Sequence, residues 1–459
     1  MKYETINKSF KKYKLKPSTE SMKQICKPNK FKLQSQQLFL AELFKKTNIK
    51  GLLVYHKIGA GKTCTAISIA ENLKHKMKII VVLPAALISN FEDELKSDCG
   101  NDNYISKSDR TRLNNLKLKS KESKEIMFKF QKKVDKYYKI YSYHKFVEYV
   151  EDNKIKLRNT LLIIDEIQNM ISEFGRFYKN LNKVISKADS KTRILLLSAT
   201  PIFNKPVELA LTLNLLKNKN NKIPIDNEFN NMFLSSIKTK DGKSYNLKNK
   251  NILKKHLYGV ISYYRGASAK AFPKANFNIV NCIMSEFQYK SYLTTLSNEK
   301  DHLKGSFRDV DILKLPTNFL LGPRMISNIA FPNKGIGLKG FNSFKGTCLS
   351  TKKIKKYSIK FYKLFNKIKK SKGPIFIYSN FKEMGGLKSL ITFLEYQGYK
   401  NYKNYGEGRY RFALWTGDEL HIVKNDIKKT FNNPNNYEGK MIKIILGSPS
   451  IKEGISLLR

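Results

Sequence analysis

The stretch GLLVYHKIGAGKT, residues 51–63, decides the fold. An apolar run of strand length leads into a glycine-rich loop, and a helical pattern follows the loop. Such a loop presents unpaired backbone N–H groups at the positive end of a helix dipole, which forms an anion cradle. The stretch therefore predicts an α/β unit that binds the phosphates of a nucleotide through Gly59, Ala60, Gly61, Lys62 and Thr63.

Two side chains of this loop have expected roles. We expect Lys62 to reach the β- and γ-phosphates and to be catalytic, and the Thr63 hydroxyl to bind Mg²⁺. The strict pattern G-x-x-x-x-G-K-[ST] has glycine where this chain has His56. The core G-A-G-K-T and its place between a strand and a helix fit the pattern, so ATP and Mg²⁺ are the predicted ligands.

Composition limits the class of protein. The chain has 459 residues, and 87 Lys+Arg against 37 Asp+Glu give a net charge of +50. A hydrophobic content of 41% is that of a folding chain with two or three domains. The charge favours a nucleic-acid partner, although 76 of the 87 basic residues are Lys, which an A/T-rich genome would also produce. No apolar run approaches a membrane span and the N-terminus lacks a secretory signal, so we expect no membrane association.

The cysteines predict a reducing environment. Five of them are spread along the chain without a CxxC pair: Cys26, Cys64, Cys99, Cys282 and Cys348. This spacing supports neither a disulfide framework nor a zinc site. We therefore expect an intracellular protein, in the host cytoplasm or the virion if the chain is viral.

Continuous apolar runs alternate with helical patterns in two parts of the chain. In 31–216, strands are predicted at 52–55, 79–83, 139–142, 161–165 and 193–198, with helices at 63–74 and 85–96 and a solvated helical insertion at 98–138. In 356–459, strands are predicted at 375–379, 412–415 and 441–446, with helices at 386–397 and 419–431. This rhythm predicts two α/β domains with parallel sheets. Residues 1–30 are predicted to be a basic arm, and 217–355 a linker and helical insertion.

Two further strands end in polar residues. The apolar run 161–164 leads into Asp165 and Glu166, at the carboxyl end where α/β sheets bind ligands. We expect Asp165 to hold Mg²⁺ and Glu166 to orient and deprotonate the attacking water. The run 195–197 leads into Ser198 and Thr200, which suit either a coupling element of the site or an ordinary turn and cap.

The order of HKIGAGKT, DEIQ and SATPI resembles motifs I, II and III of superfamily 2 helicases and translocases. SATPIFNKPVELALTLNLL, ISYYRGASAKAFP (261–273) and RMISNIAFP (324–332) narrow the likeness to helicases of large DNA viruses. These are the Swi/Snf-like proteins related to the poxvirus early transcription factor small subunit and nucleoside triphosphate phosphohydrolase I. The resemblance covers residues 30–459 and implies two RecA-like domains, the second truncated.

The resemblance also implies individual roles. LQSQQ (33–37) is similar to the adenine-contacting box before motif I, which points to Gln37, with Gln36 as the alternative. Gln168 stands where many relatives have His, and with Ser198 and Thr200 it would couple the ATP site to motif III. Pro84, Ser448 and Lys452 match positions that contact nucleic acid, and the narrower relatives favour DNA over RNA.

One expected element is missing from this resemblance. Superfamily 2 proteins follow motif V, here 447–457, with Q-x-x-G-R-x-x-R, whose arginine completes the ATP site. The chain ends before that motif, and Arg265, Arg324 and Arg459 do not lie in its context. We therefore expect ATP binding with slow hydrolysis unless a protein partner supplies the arginine. The main interpretation is an ATP-dependent helicase or translocase, and the alternative is a catalytically weak ATP- and nucleic-acid-binding subunit of a viral transcription or processing complex.

Overall fold

The computed structural model describes residues 3–15, 31–116, 120–172, 175–239, 242–266, 274–302, 320–451 and 457. The chain divides into two compact units, Met1–Ala275 and Asn276–Arg459. The division lies inside the segment predicted as linker and insertion. No helix in the described part of the chain is both long and apolar enough to cross a membrane.

The first unit is built from alternating strands and helices. Its helices are α1 (Tyr3–Ser9), α2 (Ser35–Lys46), α3 (Lys62–Leu73), α4 (Ile88–Lys96), α5 (Lys107–Asn115), α6 (Lys121–Asp135), α7 (Tyr143–Glu151), α8 (Arg176–Ser186), α9 (Val207–Asn214), α10 (Asp226–Phe233) and α11 (Lys250–Leu257). Its strands are β1 (Gly51–His56), β2 (Lys78–Leu83), β3 (Tyr138–Ser142), β4 (Thr160–Ile164), β5 (Arg193–Ser198), β6 (Leu234–Thr239), β7 (Gly242–Leu247) and β8 (Ile261–Tyr264).

Six of these strands form one parallel sheet in the order β3-β2-β4-β5-β1-β8. Every residue of β4 and β5 is buried, as expected for strands covered on both faces. Alternate residues such as Val54, Val81 and Ile163 pack with apolar residues of α2, α3, α4 and α6 in the main core. The predicted parallel α/β sheet is confirmed.

Three features of this unit differ from the sequence expectations. Helix α6 lies in the segment expected to be solvated, but it buries Ile126, Phe130 and Val134 in the core because these residues recur at helical spacing on one face. Strand β8 lies beyond the predicted domain boundary at 216, yet it pairs with β1. Strands β6 and β7 form an antiparallel hairpin where helical and irregular structure was expected.

The expectation that the cysteines form no disulfide is wrong. Cys64 and Cys99 are joined by a disulfide bond with a Cα–Cα distance of 5.5 Å. The two residues are 35 positions apart in sequence, and they meet because α3 packs against the single helical turn at Asp98–Gly100. Tertiary packing of this kind leaves no signal in the spacing of cysteines along the chain.

The second unit contains a four-stranded parallel sheet in the order β10-β11-β12-β9. Its strands are β9 (Ile375–Tyr378), β10 (Lys400–Asn401), β11 (Arg411–Trp415) and β12 (Ile444–Gly447). Its helices are α12 (Glu286–His302), α13 (Leu321–Ile326), α14 (Gly337–Phe341), α15 (Ile354–Tyr357), α16 (Ile359–Lys370), α17 (Leu387–Tyr396), α18 (Tyr402–Tyr405) and α19 (His421–Phe431). Apolar residues of α16 and α17 pack on one face of the sheet, and those of α19 pack on the other. The second predicted parallel sheet is confirmed.

Candidate nucleotide site

The loop between β1 and α3 has the backbone of an anion cradle. Gly59 and Gly61 have φ angles of +79° and +68°, a left-handed conformation that glycine adopts without strain. Gly61 is the N-cap of α3 and makes no side-chain cap, so the first N–H groups of the helix have no capping side chain as a partner. The loop is exposed apart from Ala60, which is buried. This geometry is suited to a phosphate group.

Helix α2 places an amide against this loop. Gln37 Nε2 donates a hydrogen bond to the Gly61 carbonyl at 3.1 Å, and Gln37 Oε1 accepts one from the Gln34 backbone N–H at 2.8 Å. Gln36 instead donates to the Gln34 side chain at 2.5 Å. Of the two glutamines considered for adenine contact, Gln37 is thus the one that contacts the loop between β1 and α3, residues 57–61, which we call the phosphate loop.

The end of β4 presents two carboxylates. Asp165 is 6% exposed, and one of its oxygens accepts the Glu166 backbone N–H at 3.0 Å. Glu166 has a φ of +50°, which is uncommon for a residue with a side chain. The Tyr143 hydroxyl lies within 2.5 Å of the Asp165 carbonyl and 2.9 Å of the Glu166 carbonyl. Tyr143 therefore holds the backbone of both acidic residues from the start of α7.

A chain of hydrogen bonds leads from β4 to β5. Gln168 Nε2 donates to Glu166 Oε2 at 2.7 Å, and Gln168 Oε1 accepts the Ser198 hydroxyl at 2.7 Å. The Ser198 oxygen also accepts the Thr200 backbone N–H at 2.9 Å. Gln168 and Ser198 are both buried. Of the three residues predicted to couple the ATP site to motif III, Gln168 thus contacts Glu166 directly, and Ser198 and Thr200 follow it in the same chain of hydrogen bonds.

The sheet register brings the predicted groups to one edge. In this parallel sheet, Tyr55 pairs with Ser198, and Val82 pairs with Ile164. Ser198 is the last residue of its strand, and the phosphate loop, Pro84 and Asp165 follow the ends of theirs, so all lie at the common carboxyl edge where α/β sheets bind ligands. Thr63 and Asp165 offer hydroxyl and carboxylate oxygens, which is the donor type that Mg²⁺ prefers. These residues fit a magnesium ion.

His56 lies directly before the loop and is fully buried. Its Nε2 lies 3.1 Å from the Ser262 hydroxyl on β8, and its ring packs edge-on against Tyr264. Burial, reinforced by the charge of Lys62, lowers the pKa of His56 to about 4. The imidazole is therefore neutral at physiological pH and joins the strand of the phosphate loop to the last strand of the sheet.

The remaining candidate residues lie elsewhere in the chain. Ser448 is buried after β12, and its N–H donates to the Trp415 carbonyl at 3.3 Å. Lys452 and Arg459 lie outside the described residues. So do residues 267–273, part of the stretch 261–273 that carries the family resemblance, and residues 16–30 of the predicted basic arm. Arg265 is exposed beyond β8, and the Arg324 guanidinium lies 5.3 Å from the Phe381 ring centre.

Comparison with known proteins identifies the family. A family model of the SNF2-related domain matches residues 33–329. The chain belongs to the SNF2-related domain family. The "Putative ATP-dependent RNA helicase R563" of Acanthamoeba polyphaga mimivirus is 46% identical over 458 residues, covering 100% of this chain and 79% of the relative. The resemblance predicted from the motifs is confirmed.

More distant SNF2-type relatives include a termination factor NPH-I homolog of African swine fever virus, 25% identical over 89% of this chain and 63% of the relative. Among solved structures, the Sulfolobus solfataricus SWI2/SNF2 ATPase core in complex with dsDNA matches with 19% identity and a TM-score of 0.39, covering 91% of this chain and 78% of that chain. Several relatives are more than twice as long as the region that this chain matches. For example, the match covers 43% of the putative helicase 009L of Frog virus 3.

The sequence reasoning missed two residues of this candidate site. Tyr143 is the first residue after β3, at the same sheet edge as Asp165, so the rule that ligands bind beyond the carboxyl ends of strands could have found it. The partner of His56 had no such signal, because Ser262 is 206 residues away and their contact requires β8 to pair with β1.

Proposed function

We propose that this chain is an ATP-dependent nucleic-acid motor, a helicase or translocase that hydrolyses ATP with Mg²⁺. The observation that carries the proposal is the link from Glu166 through Gln168 to Ser198, which ties the expected catalytic carboxylate to the following strand end. A site that only binds ATP has no need of this connection. A motor needs such a connection, because hydrolysis must change the position of the elements that bind the nucleic acid.

The residues of the loop would hold the triphosphate. The left-handed turn and the start of α3 direct N–H groups to the phosphates, and Lys62 neutralises the β- and γ-phosphate charge. When Mg²⁺ is bound by Thr63 and Asp165, it supplies further charge neutralisation of the phosphate oxygens. Gln37 would contact the adenine from beside the loop.

Glu166 would act on the attacking water. Tyr143 fixes the backbone on which Glu166 stands, and the left-handed φ of Glu166 directs that backbone away from the strand. The carboxylate would orient the water and accept its proton as the water attacks the γ-phosphate. The change in charge at Glu166 would then alter its hydrogen bond with Gln168 and so reach Ser198.

The track would be bound mainly through its phosphates. The net charge of +50 supports contacts that are strong at low salt and insensitive to sequence. We propose DNA as the preferred nucleic acid. RNA is the alternative to test, because the mimivirus relative is named as a putative RNA helicase. Pro84, Ser448 and Lys452 remain proposed contacts, and intracellular action in host cytoplasm or virion remains a proposal supported by the viral origin of the relatives. The external source of an arginine stays a prediction.

The test measures ATP binding and turnover together, with and without duplex DNA and duplex RNA. Lys62→Ala should lose ATP binding and turnover, whereas Lys78→Ala should keep both. Lys78 is an exposed lysine at the start of β2, the next strand along the chain, and lies at the opposite edge of the sheet from the loop, so it is a matched control for charge. Equal ATP binding by the wild type and Lys62→Ala would reject the proposed site. Binding without nucleic-acid-stimulated turnover would favour the alternative, a binding subunit.

A further inference from the structure

The disulfide lies beside the residues expected to hold the triphosphate. Cys64 immediately follows Thr63 in the first turn of α3, and its partner Cys99 belongs to the single turn at Asp98–Gly100. Both cysteines are buried. The bond therefore ties the turn that carries Lys62 and Thr63 to a segment that follows α4.

A second attachment holds the same segment at the other end of α3. Glu71, in the last turn, accepts hydrogen bonds from the Tyr104 hydroxyl at 2.5 Å and the Asn103 side-chain amide at 2.7 Å. Tyr138 and Lys74 also bond to the Glu71 carboxylate, at 2.7 and 2.6 Å. This attachment is polar and does not depend on redox conditions.

The segment also has its own internal structure. Ser97 accepts the backbone N–H groups of Cys99 and Gly100, at 3.1 and 3.0 Å, through its hydroxyl and carbonyl. The Arg110 guanidinium bonds to Asp98 at 2.9 Å. Breaking the disulfide would therefore leave the segment folded and anchored at Glu71. The part that loses an attachment would be the first turn of α3, which directly follows the phosphate loop.

We propose that the Cys64–Cys99 disulfide is a redox-controlled clamp on the phosphate loop. In the oxidised chain, the clamp fixes the first turn of α3 and pre-organises the loop for the triphosphate. In the reduced chain, this turn is freer and must be ordered by the ligand, so ATP binds more weakly. The proposal rests on the proposed ATP site and adds the chemistry that regulates it.

The reaction is a thiol–disulfide exchange with a dithiol reductant. One thiolate of the reductant attacks the Cys99 sulfur, the Cys64–Cys99 bond breaks, and the Cys64 sulfur leaves with the electron pair and takes a proton. The second thiol of the reductant then displaces the Cys99 thiolate, and the reductant departs as a cyclic disulfide. Two electrons pass to the protein, and a disulfide oxidant such as oxidised glutathione reverses the reaction.

The first measurement establishes the bond itself. The 459-residue chain is purified without reductant and alkylated after denaturation, with and without prior treatment with dithiothreitol. Cys64 and Cys99 are in the bond, so they should be alkylated only after reduction, whereas Cys282 and Cys348 should be alkylated in both samples. Five alkylated cysteines in a chain that was first equilibrated with oxidised glutathione would overturn the proposal.

The second measurement is the affinity for a fluorescent ATP analogue with Mg²⁺ in the two redox states. Reduction should weaken ATP binding roughly 3- to 10-fold. This range is expected if the ligand must order one or two residues of the first turn of α3 that the disulfide holds in the oxidised chain. Cys99→Ser should bind weakly in both states, and Cys64→Ser should do the same. Cys282→Ser removes a thiol from the second unit and should keep the full redox response.

Three outcomes separate the clamp from the site. Equal affinity of oxidised and reduced wild type, with the thermal midpoint lowered by reduction, would show a purely structural bond and overturn the clamp. A redox response that persists in Cys99→Ser would overturn it as well. If the wild type binds no better than Lys62→Ala in either state, the proposed ATP site itself fails.

Discussion

Glu166 and Ser198 are joined through a single side chain, the amide of Gln168. An ionised Glu166 carboxylate has acceptor atoms only, so the Gln168 amide nitrogen donates to it. The Gln168 amide oxygen accepts from the Ser198 hydroxyl. Both bonds measure 2.7 Å. The end of β4 and the end of β5 are therefore connected by one side chain, which donates one hydrogen bond and accepts the other.

Gln168→Ala should uncouple ATP turnover from nucleic-acid binding. The variant loses two buried hydrogen bonds, one of them to a charged group, so we expect the stimulation of turnover by nucleic acid to fall at least about 10-fold. Ser198→Ala should give a similar loss, and the double variant should be no worse than either single one, since all three remove the same connection. Steady-state ATPase assays with and without duplex DNA measure these effects. Additive losses would show that Gln168 and Ser198 act independently.

Tyr143→Phe should lower turnover while the fold is retained. The variant loses the hydroxyl that bonds to the Asp165 and Glu166 carbonyls, at an expected cost of about 1–2 kcal/mol in unfolding free energy. We expect kcat to fall about 10-fold, with little change in ATP affinity. Tyr141→Phe is the matched control, because Tyr141 lies two residues earlier and makes ring contacts with Phe146 and Tyr149. Equal kcat for both variants would assign Tyr143 a structural role only.

Gly61→Ala should abolish tight ATP binding. A Cβ at this position would lie 2.5 Å from Gln37 Nε2 and would have to adopt a φ of +68°. The left-handed backbone alone costs about 1–2 kcal/mol. Gly259→Ala has a similar φ of +75° with open space around the new Cβ, so it isolates that backbone cost. Calorimetric titration with ATP should show a loss for Gly61→Ala only, and unchanged affinity would argue against the loop as the phosphate site.

The buried His56 should make the fold less stable in acid. Its pKa is about 4 in the folded chain, against 6.5 as the ordinary value, because burial disfavours the charged imidazole. His56 is neutral in both states at pH 7.5, but as the pH falls to 4 the unfolded chain takes up a proton that the folded chain does not, so the free energy of unfolding falls by about 3 kcal/mol. Urea unfolding across this range should show a steeper fall for the wild type than for His56→Asn. An equal fall of the unfolding free energy with pH in both proteins would contradict the low pKa of His56.

Local apolar runs explain why much of the fold was predictable. The strand at 193–198 was predicted at its observed bounds, and the helix predicted at 63–74 was placed within one residue, because buried parallel strands and amphipathic helices leave continuous patterns. The hairpin of β6 and β7 was missed because its strands are rich in polar residues and contain no continuous apolar run.

Contacts between distant parts of the chain were not predictable in this way. The disulfide of Cys64 with Cys99 and the bond of His56 to Ser262 depend on which elements pack together, and spacing along the chain does not record this. Gln168 was predicted from the family resemblance, whereas its bonds to Glu166 and Ser198 became known only from the structure.

The most direct test of the motor is ATP turnover by the 459-residue chain with and without duplex DNA, for the wild type and Glu166→Gln. We expect DNA to raise wild-type turnover at least about 10-fold. We expect Glu166→Gln to bind ATP with wild-type affinity but to turn it over at least about 100-fold more slowly, the range for loss of a general base. Equal turnover by the two proteins in the presence of DNA would contradict the proposed motor function.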